Sequence, residues 1–182
     1  MNILDMSLFA LVNASADTPM WQIHIAAMTS KFLPGAMVLL LAGLALLGPE
    51  RHRRVLWAAL LSLLLAWVSV SLFRYWMPMP RPAALEAGIQ WLAQGQRASF
   101  PSMHATGAFA VAMSLCLERR DRWALLFVLA ASAVAWSRVY LGLHFPTDVL
   151  AGAALGALLA LAVRLALFRR PRAVRDPRRA LP

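Results

Sequence analysis

The chain lacks much of what an ordinary soluble protein contains. Its only cysteine is Cys116, so no disulfide can form within the chain. Charged residues make up 14% of the 182 residues and hydrophobic residues 61%, which is too apolar for a soluble domain. These shortages exclude a disulfide framework and a soluble fold, and they indicate one compact helical membrane domain.

Acidic residues are also scarce, because eight Asp and Glu stand against eighteen Lys and Arg, which gives a formal net charge of +10. Such a charge would suit nucleic acid, but base-reading motifs and a soluble basic face are missing, so nucleic-acid binding is not expected. The basic residues lie instead between apolar stretches and in a tail, where they are typical of a membrane topology signal.

Five apolar stretches are long enough, or nearly long enough, to cross a bilayer: residues 21–47, 55–76, 101–117, 123–141 and 146–168. Pro34 interrupts the first stretch, and a break there would divide it in two. A short apolar segment within residues 1–17 predicts an interfacial or partly inserted helix. The sequence therefore predicts an all-α, polytopic transmembrane bundle of five to six membrane helices. It forms a single domain over residues 1–170, followed by a basic, disordered cytoplasmic tail over residues 171–182.

Three groups of arginines indicate the orientation of the bundle. They fall between the first and second stretches, between the third and fourth, and after the fifth, all on one side if the stretches alternate. The positive-inside rule makes that side cytoplasmic. The other connections, residues 77–100 and 142–145, must then face outward. Residues 83–94 of the longer connection predict a short amphipathic helix lying over this end of the bundle.

Unusual polar residues near the membrane all belong to the outward end: Arg74, Arg81, Ser102, His104, Ser137, Arg138, His144 and Asp148. Charges at a membrane boundary are costly, so this convergence indicates a reaction site with an outward-facing opening. His144 and Asp148 are one helical turn apart, and the carboxylate can therefore reach an imidazole nitrogen. Pro146 suits the first position of a helix, and the free N–H groups at a helix start favour a bound anion. The planar guanidinium of Arg138 would bind the same anion.

The order and spacing of these residues resemble the three-part signature of the type 2 phosphatidic acid phosphatase superfamily. That signature reads Lys-(six residues)-Arg-Pro, Pro-Ser-Gly-His and Ser-Arg-(five residues)-His-(three residues)-Asp, and the chain follows it from Arg74 through Asp148. Two positions depart from it, since Arg74 replaces the lysine and Met103 replaces the glycine. Arginine keeps the cation and methionine keeps a backbone N–H at a helix start, so we expect altered substrate choice rather than lost activity.

The resemblance implies a role for each matching residue. His144 would attack phosphorus and form a phosphohistidine, while Asp148 would hold its tautomer and stabilise the imidazolium. His104 would protonate the leaving oxygen and later activate water. The phosphoryl oxygens would be bound by Arg74, Arg81, Ser102, Met103 and Arg138, with Pro82, Pro101 and Ser137 in supporting positions. No metal and no cofactor are implied, and the cluster indeed offers cations where a metal would need several carboxylates.

The family resemblance implies an integral-membrane lipid phosphatase whose partners are a lipid phosphate or diphosphate substrate and the surrounding membrane lipids. The small size of the chain resembles the bacterial undecaprenyl-diphosphate phosphatases of this superfamily. This favours conversion of undecaprenyl diphosphate to undecaprenyl phosphate for cell wall (peptidoglycan) biogenesis, on the periplasmic or extracellular side of the bacterial cytoplasmic (inner) membrane.

Several alternatives remain open at this point. Within the superfamily, the substrate could be phosphatidylglycerophosphate, phosphatidate or a lipid A phosphate, and a phosphotransferase could use a lipid acceptor in place of water. A lipid transporter or flippase is a more distant alternative. We find no internal repeat of the kind that transporters show, and the polar residues cluster on one side of the membrane.

Overall fold

The computed structural model describes residues 3–95, 98–118 and 121–167, and every regular element in these ranges is helical. The α-helices in this part of the chain are α1 (Ile3–Val12), α2 (Met20–Leu47), α3 (Glu50–Trp76), α4 (Met103–Glu118), α5 (Arg122–Tyr140) and α6 (Pro146–Leu167). The predicted basic tail, residues 171–182, lies outside the described residues. The predicted all-α class is confirmed.

Four of the described helices, α2, α3, α5 and α6, are long and apolar enough to cross a membrane. Each exposes large apolar side chains on the outside of the bundle, among them Leu39, Trp67, Leu129 and Leu158. α4 is apolar but has only 16 residues, about 24 Å at the usual helical rise, against a hydrocarbon core of about 30 Å. It lies at the centre of the bundle and packs against all four longer helices.

Pro34 does not divide α2, which runs without a break from Met20 to Leu47. The alternative of two separate helices here is therefore wrong. Proline removes one backbone donor from the helix, and a Cβ built on the neighbouring Gly35 would meet no atom within 4 Å. The two residues line a cavity between α2, α3 and α4, so no side chain of α3 or α4 packs directly onto Gly35.

Two glycines of α6 allow it to approach α4 closely. A Cβ at Gly156 would lie 2.2 Å from the Thr106 carbonyl oxygen, and one at Gly152 would lie 2.7 Å from the Ser102 carbonyl oxygen. A larger side chain at either position would push the helices apart, because the interior is close-packed. The approach holds the starts of the two helices side by side.

The N-terminal helix α1 packs onto the bundle against α5 and α6. Phe9 is buried, and its ring centroid lies 5.3 Å from that of Phe145. Just after the helix, Asn13 Nδ2 donates to the carbonyl oxygens of Ile89 and Tyr140, at 3.0 and 3.1 Å. α1 therefore reinforces the connections at the end of the bundle where α5 ends and α6 begins.

The predicted amphipathic helix over residues 83–94 is wrong. Only Pro82–Leu85 forms a helical turn, of the 3-10 type, and Gly88 then adopts a left-handed conformation with φ 62°. The backbone beyond it is bound by another segment, since the Ile89 N–H donates to Asn13 Oδ1 at 2.8 Å. Such contacts replace the hydrogen bonds that a helix would have supplied.

Candidate active site

Four helix ends meet at one end of the bundle: the end of α3, the start of α4, the end of α5 and the start of α6. Between them lies a cavity of about 540 Å³. Its wall includes five residues that the sequence predicted for the site: Arg74, Arg81, Met103, His104 and His144. The other three are buried and are joined to this region by hydrogen bonds: Ser102, Arg138 and Asp148.

His144 stands in the short connection between α5 and α6, and only 1% of the residue is exposed. Its Nδ1 lies 3.3 Å from Oδ2 of Asp148, in the first turn of α6. A carboxylate can only accept hydrogen bonds, so we assign the proton to Nδ1 and the free lone pair to Nε2. The same carboxylate oxygen accepts from the Phe145 N–H at 3.0 Å, which helps to hold the carboxylate in place.

The environment of His144 favours the neutral imidazole. Burial lowers the pKa of His144 well below its usual value of 6.5, the hydrogen bond with Asp148 acts in the opposite direction, and the charge of Arg138 lowers it further. At neutral pH the ring therefore carries a lone pair that can attack an electrophile.

Three guanidinium groups reach the site from different segments. Arg74 Nη2 donates to the carbonyl oxygen of Pro101 at 2.9 Å, which ties the end of α3 to the residues before α4. Arg81 Nη1 and Arg138 Nη2 both donate to Oε1 of Gln94, each at 2.8 Å. One amide oxygen thus lies between two cations, an arrangement that also suits a phosphoryl oxygen.

The buried donors Ser102 Oγ and Arg138 Nε have no hydrogen-bond partner within the described part of the chain. Leaving a buried polar atom unpaired costs about 1–3 kcal/mol. Ser102 immediately precedes α4, and the first N–H groups of that helix, from Met103 onward, have no acceptor within the helix itself. The start of α4 is therefore suited to bind an anion with several oxygens.

An apolar groove of about 340 Å³ adjoins the polar cavity, and the two share Trp67, Met103 and His104. It lies between α2, α3 and α4. Apart from His104, its wall is apolar: Pro34, Gly35, Val38, Leu63, Ala66, Trp67, Met103, Gly107, Ala108 and Val111. The groove follows α4 for about two turns into the bundle, so the polar site continues directly into an apolar one.

A sequence model of the PAP2 superfamily matches residues 55–172 of this chain. The chain belongs to the PAP2 superfamily. The match contains every residue that the sequence predicted for the site, together with most of α3 and all of α4, α5 and α6. The resemblance drawn from the three motifs is thereby confirmed.

Known proteins similar to the chain include proteins named as phosphatases. The Escherichia coli (strain K12) protein named "Putative undecaprenyl-diphosphatase YbjG" is 36% identical over 167 residues, which cover 89% of this chain and 82% of that protein. The crystal structure of Aquifex aeolicus LpxE has a TM-score of 0.73 and 27% identity, covering 89% of this chain and 95% of that one. A transmembrane PAP2 type phosphatidylglycerolphosphate phosphatase from Bacillus subtilis shares the fold, with a TM-score of 0.70, 23% identity, and coverage of 93% and 87%.

The chain is therefore a multi-pass membrane protein of a lipid phosphatase family.

The three supporting residues of the PAP2 signature shape the backbone around the cavity without lining it. Pro82 begins the 3-10 turn, and the Pro101 carbonyl oxygen accepts from Arg74. Ser137 Oγ donates to the Val134 carbonyl oxygen at 2.7 Å within α5.

Polar residues that sequence reasoning did not single out also join this PAP2 site. Ser99 Oγ donates to Asp148 Oδ2 and lies 3.2 Å from His144 Nδ1, and Gln94 binds two of the arginines. Both belong to the long connection before α4 and stand outside the three motifs. No spacing or composition marks them, because only folding brings that connection to the site.

The donors around the cavity are those of an anion site rather than of a metal site. Over residues 3–95, 98–118 and 121–167, no group of three or more His, Cys, Asp or Glu is arranged to hold a metal ion. The groups that line the cavity include two arginines and two histidines, whereas hard cations are bound by several carboxylate or carbonyl oxygens.

Proposed function

We propose that this PAP2 protein hydrolyses a lipid phosphate or diphosphate through a phosphohistidine on His144. The observation that carries the proposal is the placement of His144. Its Nδ1 is bound to Asp148, and its ring lines a cavity that also contains His104 and guanidinium groups. An oriented, neutral imidazole beside fixed cations is suited to attack on phosphorus.

In the first step, the lone pair on His144 Nε2 forms a bond to phosphorus, and the bond between phosphorus and the leaving oxygen breaks. The negative charge of the bound phosphate favours the protonated form of His104, which gives its proton to that oxygen and becomes neutral. The phosphorylated imidazole is positively charged, and Asp148 stabilises this charge through the Nδ1–H.

The non-bridging oxygens gain negative charge during this step and need donors that are already in place. We assign this role to the three guanidinium groups, one hydroxyl and the start of α4: Arg74, Arg81, Arg138, Ser102 and Met103. The unpaired Ser102 Oγ and Arg138 Nε support the assignment, because a bound phosphoryl group would give each of them an acceptor.

In the second step, water attacks the phosphohistidine. The neutral His104 takes a proton from the water, the new oxygen–phosphorus bond forms, and the phosphorus–nitrogen bond breaks with its electron pair returning to His144 Nε2. Inorganic phosphate is released, and His104 is protonated again for the next turnover. A lipid hydroxyl in place of water would make the same site a phosphotransferase.

Within this class of substrates we favour undecaprenyl diphosphate, which would be cleaved to undecaprenyl phosphate and inorganic phosphate. The relative from Escherichia coli supports this substrate, because its similarity extends over 89% of the chain. The apolar groove beside His104 supports a long hydrocarbon chain on the leaving group, since His104 would protonate the oxygen of that group. Phosphatidylglycerophosphate, phosphatidate and lipid A phosphates are the alternatives that the experiment must compare.

We further propose that the reaction takes place on the outer face of the bacterial cytoplasmic membrane, in support of cell wall biogenesis. The helix ends that form the cavity lie opposite the turn between α2 and α3. The start of α3, directly after that turn, carries Arg53 and Arg54, which the positive-inside rule assigns to the cytoplasm.

The test is release of inorganic phosphate by the purified protein in detergent, with EDTA present. The panel contains undecaprenyl diphosphate, phosphatidylglycerophosphate, phosphatidate and lipid A. We expect the wild type to cleave at least one lipid, undecaprenyl diphosphate fastest, and His144→Ala to be inactive. His24→Ala, which changes an exposed histidine, is the control that keeps activity. Equal activity of wild type and His144→Ala would contradict the mechanism, and faster cleavage of another lipid would contradict the proposed substrate.

A further inference from the structure

Ser99 is a buried polar residue next to the proposed nucleophile. It lies in the connection before α4, has no exposed surface, and belongs to none of the three motifs. Its backbone is held on both sides, because its N–H donates to the Met79 carbonyl oxygen at 2.8 Å and its carbonyl oxygen accepts from Arg74 Nη2 at 3.4 Å. The side chain is therefore presented from a restrained segment.

The Ser99 hydroxyl contacts both members of the proposed catalytic pair. Its Oγ donates to Oδ2 of Asp148 and lies 3.2 Å from Nδ1 of His144. The direct distance from His144 Nδ1 to Asp148 Oδ2 is 3.3 Å, which is long for a hydrogen bond to a carboxylate. The hydroxyl oxygen is thus as close to the imidazole N–H as the carboxylate is.

We propose that Ser99 is a positioning residue that orients His144 together with Asp148, an inference that rests on the proposed function. Since the hydroxyl proton is committed to the carboxylate, a lone pair of Ser99 Oγ is available to accept from the His144 Nδ1–H. The Nδ1–H is then shared between two acceptors. This sharing restrains the rotation of the ring and holds its Nε2 toward the cavity.

The same arrangement excludes Ser99 as the group that attacks phosphorus. A serine nucleophile needs its hydroxyl beside the imidazole nitrogen that carries the lone pair. Ser99 instead lies beside Nδ1, the nitrogen that Asp148 keeps protonated, and it does not line the cavity. Its effect on the reaction must therefore pass through His144 and Asp148.

The first test compares the kinetics of Ser99→Ala with those of wild type on the best lipid substrate. Loss of an orienting partner typically costs about 10- to 100-fold in activity, and we expect this loss in kcat with KM nearly unchanged. Ser62→Ala is the matched control, because Ser62 is equally buried and its hydroxyl donates to the Ala58 carbonyl oxygen of its own helix at 2.8 Å. Unchanged kcat in Ser99→Ala, or an equal loss in Ser62→Ala, would overturn the inference.

A second test does not depend on turnover. The ¹⁵N spectrum of histidine-labelled protein distinguishes the two neutral tautomers, and the signal of His144 is the one absent from His144→Gln. We expect the Nδ1–H tautomer alone in wild type and a mixture of tautomers in Ser99→Ala. The Nε2–H tautomer in wild type would refute the inference even if Ser99→Ala did not fold.

A third test identifies the phosphorylated residue in protein quenched during turnover of ³²P-labelled lipid. A phosphohistidine is lost in acid and kept in alkali, whereas a phosphoserine behaves in the opposite way. We expect acid-labile label in both wild type and Ser99→Ala, and acid-stable label in wild type would make Ser99 the nucleophile. If wild type cleaves no lipid, the proposed function fails, while the tautomer measurement still decides on Ser99.

Discussion

Asp5 of α1 caps the N-terminus of α6 through Thr147. Its Oδ1 accepts from the Thr147 N–H at 3.0 Å, and its Oδ2 accepts from Thr147 Oγ1 at 2.6 Å. Asp148 is the next residue, so the first helix of the chain holds the turn that carries the partner of His144. A negative charge at a helix N-terminus is also favoured by the helix dipole.

Asp5→Ala should therefore lower both stability and activity. Loss of a cap of this kind costs about 1 kcal/mol of unfolding free energy, which we expect as a lower midpoint of thermal unfolding in detergent. We also expect a lower kcat, because the first turn of α6 would position Asp148 less well. Asp17→Ala changes an exposed aspartate of the next connection and serves as the control. An unfolding midpoint equal to that of wild type would show that the cap contributes nothing.

A leucine at position 35 should interfere with long-chain substrates only. A Cβ at Gly35 meets no atom within 4 Å, so the side chain would enter the apolar groove without disturbing the fold. Displacing about two methylene groups of substrate costs about 1.6 kcal/mol, which corresponds to a rise in KM of about tenfold. Hydrolysis of a short-chain phosphate should be unchanged. These constants are measured for Gly35→Leu with both substrates.

Gly43→Leu is the matched control for the groove. Gly43 lies on the same helix, also has no atom within 4 Å of a built Cβ, and lines a different cavity. We expect wild-type KM values from this variant. A similar rise in KM in the two variants would mean that the lipid chain does not occupy the groove beside His104.

Gln94→Glu should lower kcat/KM, because the new carboxylate would compete with the substrate phosphate for two arginines. The amide oxygen of Gln94 lies between Arg81 and Arg138, and a carboxylate there would bind both cations more strongly and repel the phosphate. Hydrogen bonds between charged groups contribute about 1.5–3 kcal/mol, so kcat/KM should fall by at least about tenfold. Gln90→Glu adds the same charge in the same connection, at a side chain that donates to the Leu92 carbonyl oxygen, and should cause a smaller loss. Equal losses in the two variants would assign the effect to general charge.

The helix boundaries could largely be predicted, because each long apolar stretch ends next to a proline or to polar residues that favour contact with water. α6 begins at Pro146 and α3 ends at Trp76, as predicted. α4 begins at Met103, two residues later than the predicted stretch, because the Ser102 N–H is bound by the Asp148 carbonyl oxygen. Such an interaction between distant segments is invisible in an apolar pattern.

The site residues within the motifs could be named because their spacing places them at helix ends. Gln94, Ser99 and Asp5 could not, since their hydrogen-bond partners are 44, 49 and 142 residues away in sequence. Nothing in local composition encodes pairings over such separations. The conformation of the long connection was mispredicted for the same reason, because Asn13 rather than a helix binds its backbone.

The ring of His144 should remain neutral into the acidic range. A lowered pKa means that protonation, which blocks the attacking lone pair, requires a lower pH than in a free histidine. We expect the ¹⁵N signals of His144, one of four histidines in the chain, to change with a midpoint well below pH 6.5. A histidine-containing peptide in the same detergent provides the reference. A midpoint at or above that of the peptide would contradict the effect of burial.

The orientation of the bundle can be tested by labelling single cysteines in intact cells. Cys116→Ala removes the native thiol, and Ala84→Cys or Arg53→Cys places a new one at an exposed position on opposite ends of the bundle. Because the basic start of α3 is expected in the cytoplasm, a membrane-impermeant maleimide should label Ala84→Cys directly. Arg53→Cys should be labelled only after the membrane is permeabilised. The opposite pattern would place the cavity on the cytoplasmic side, where a lipid diphosphate exposed at the outer face could not reach His144.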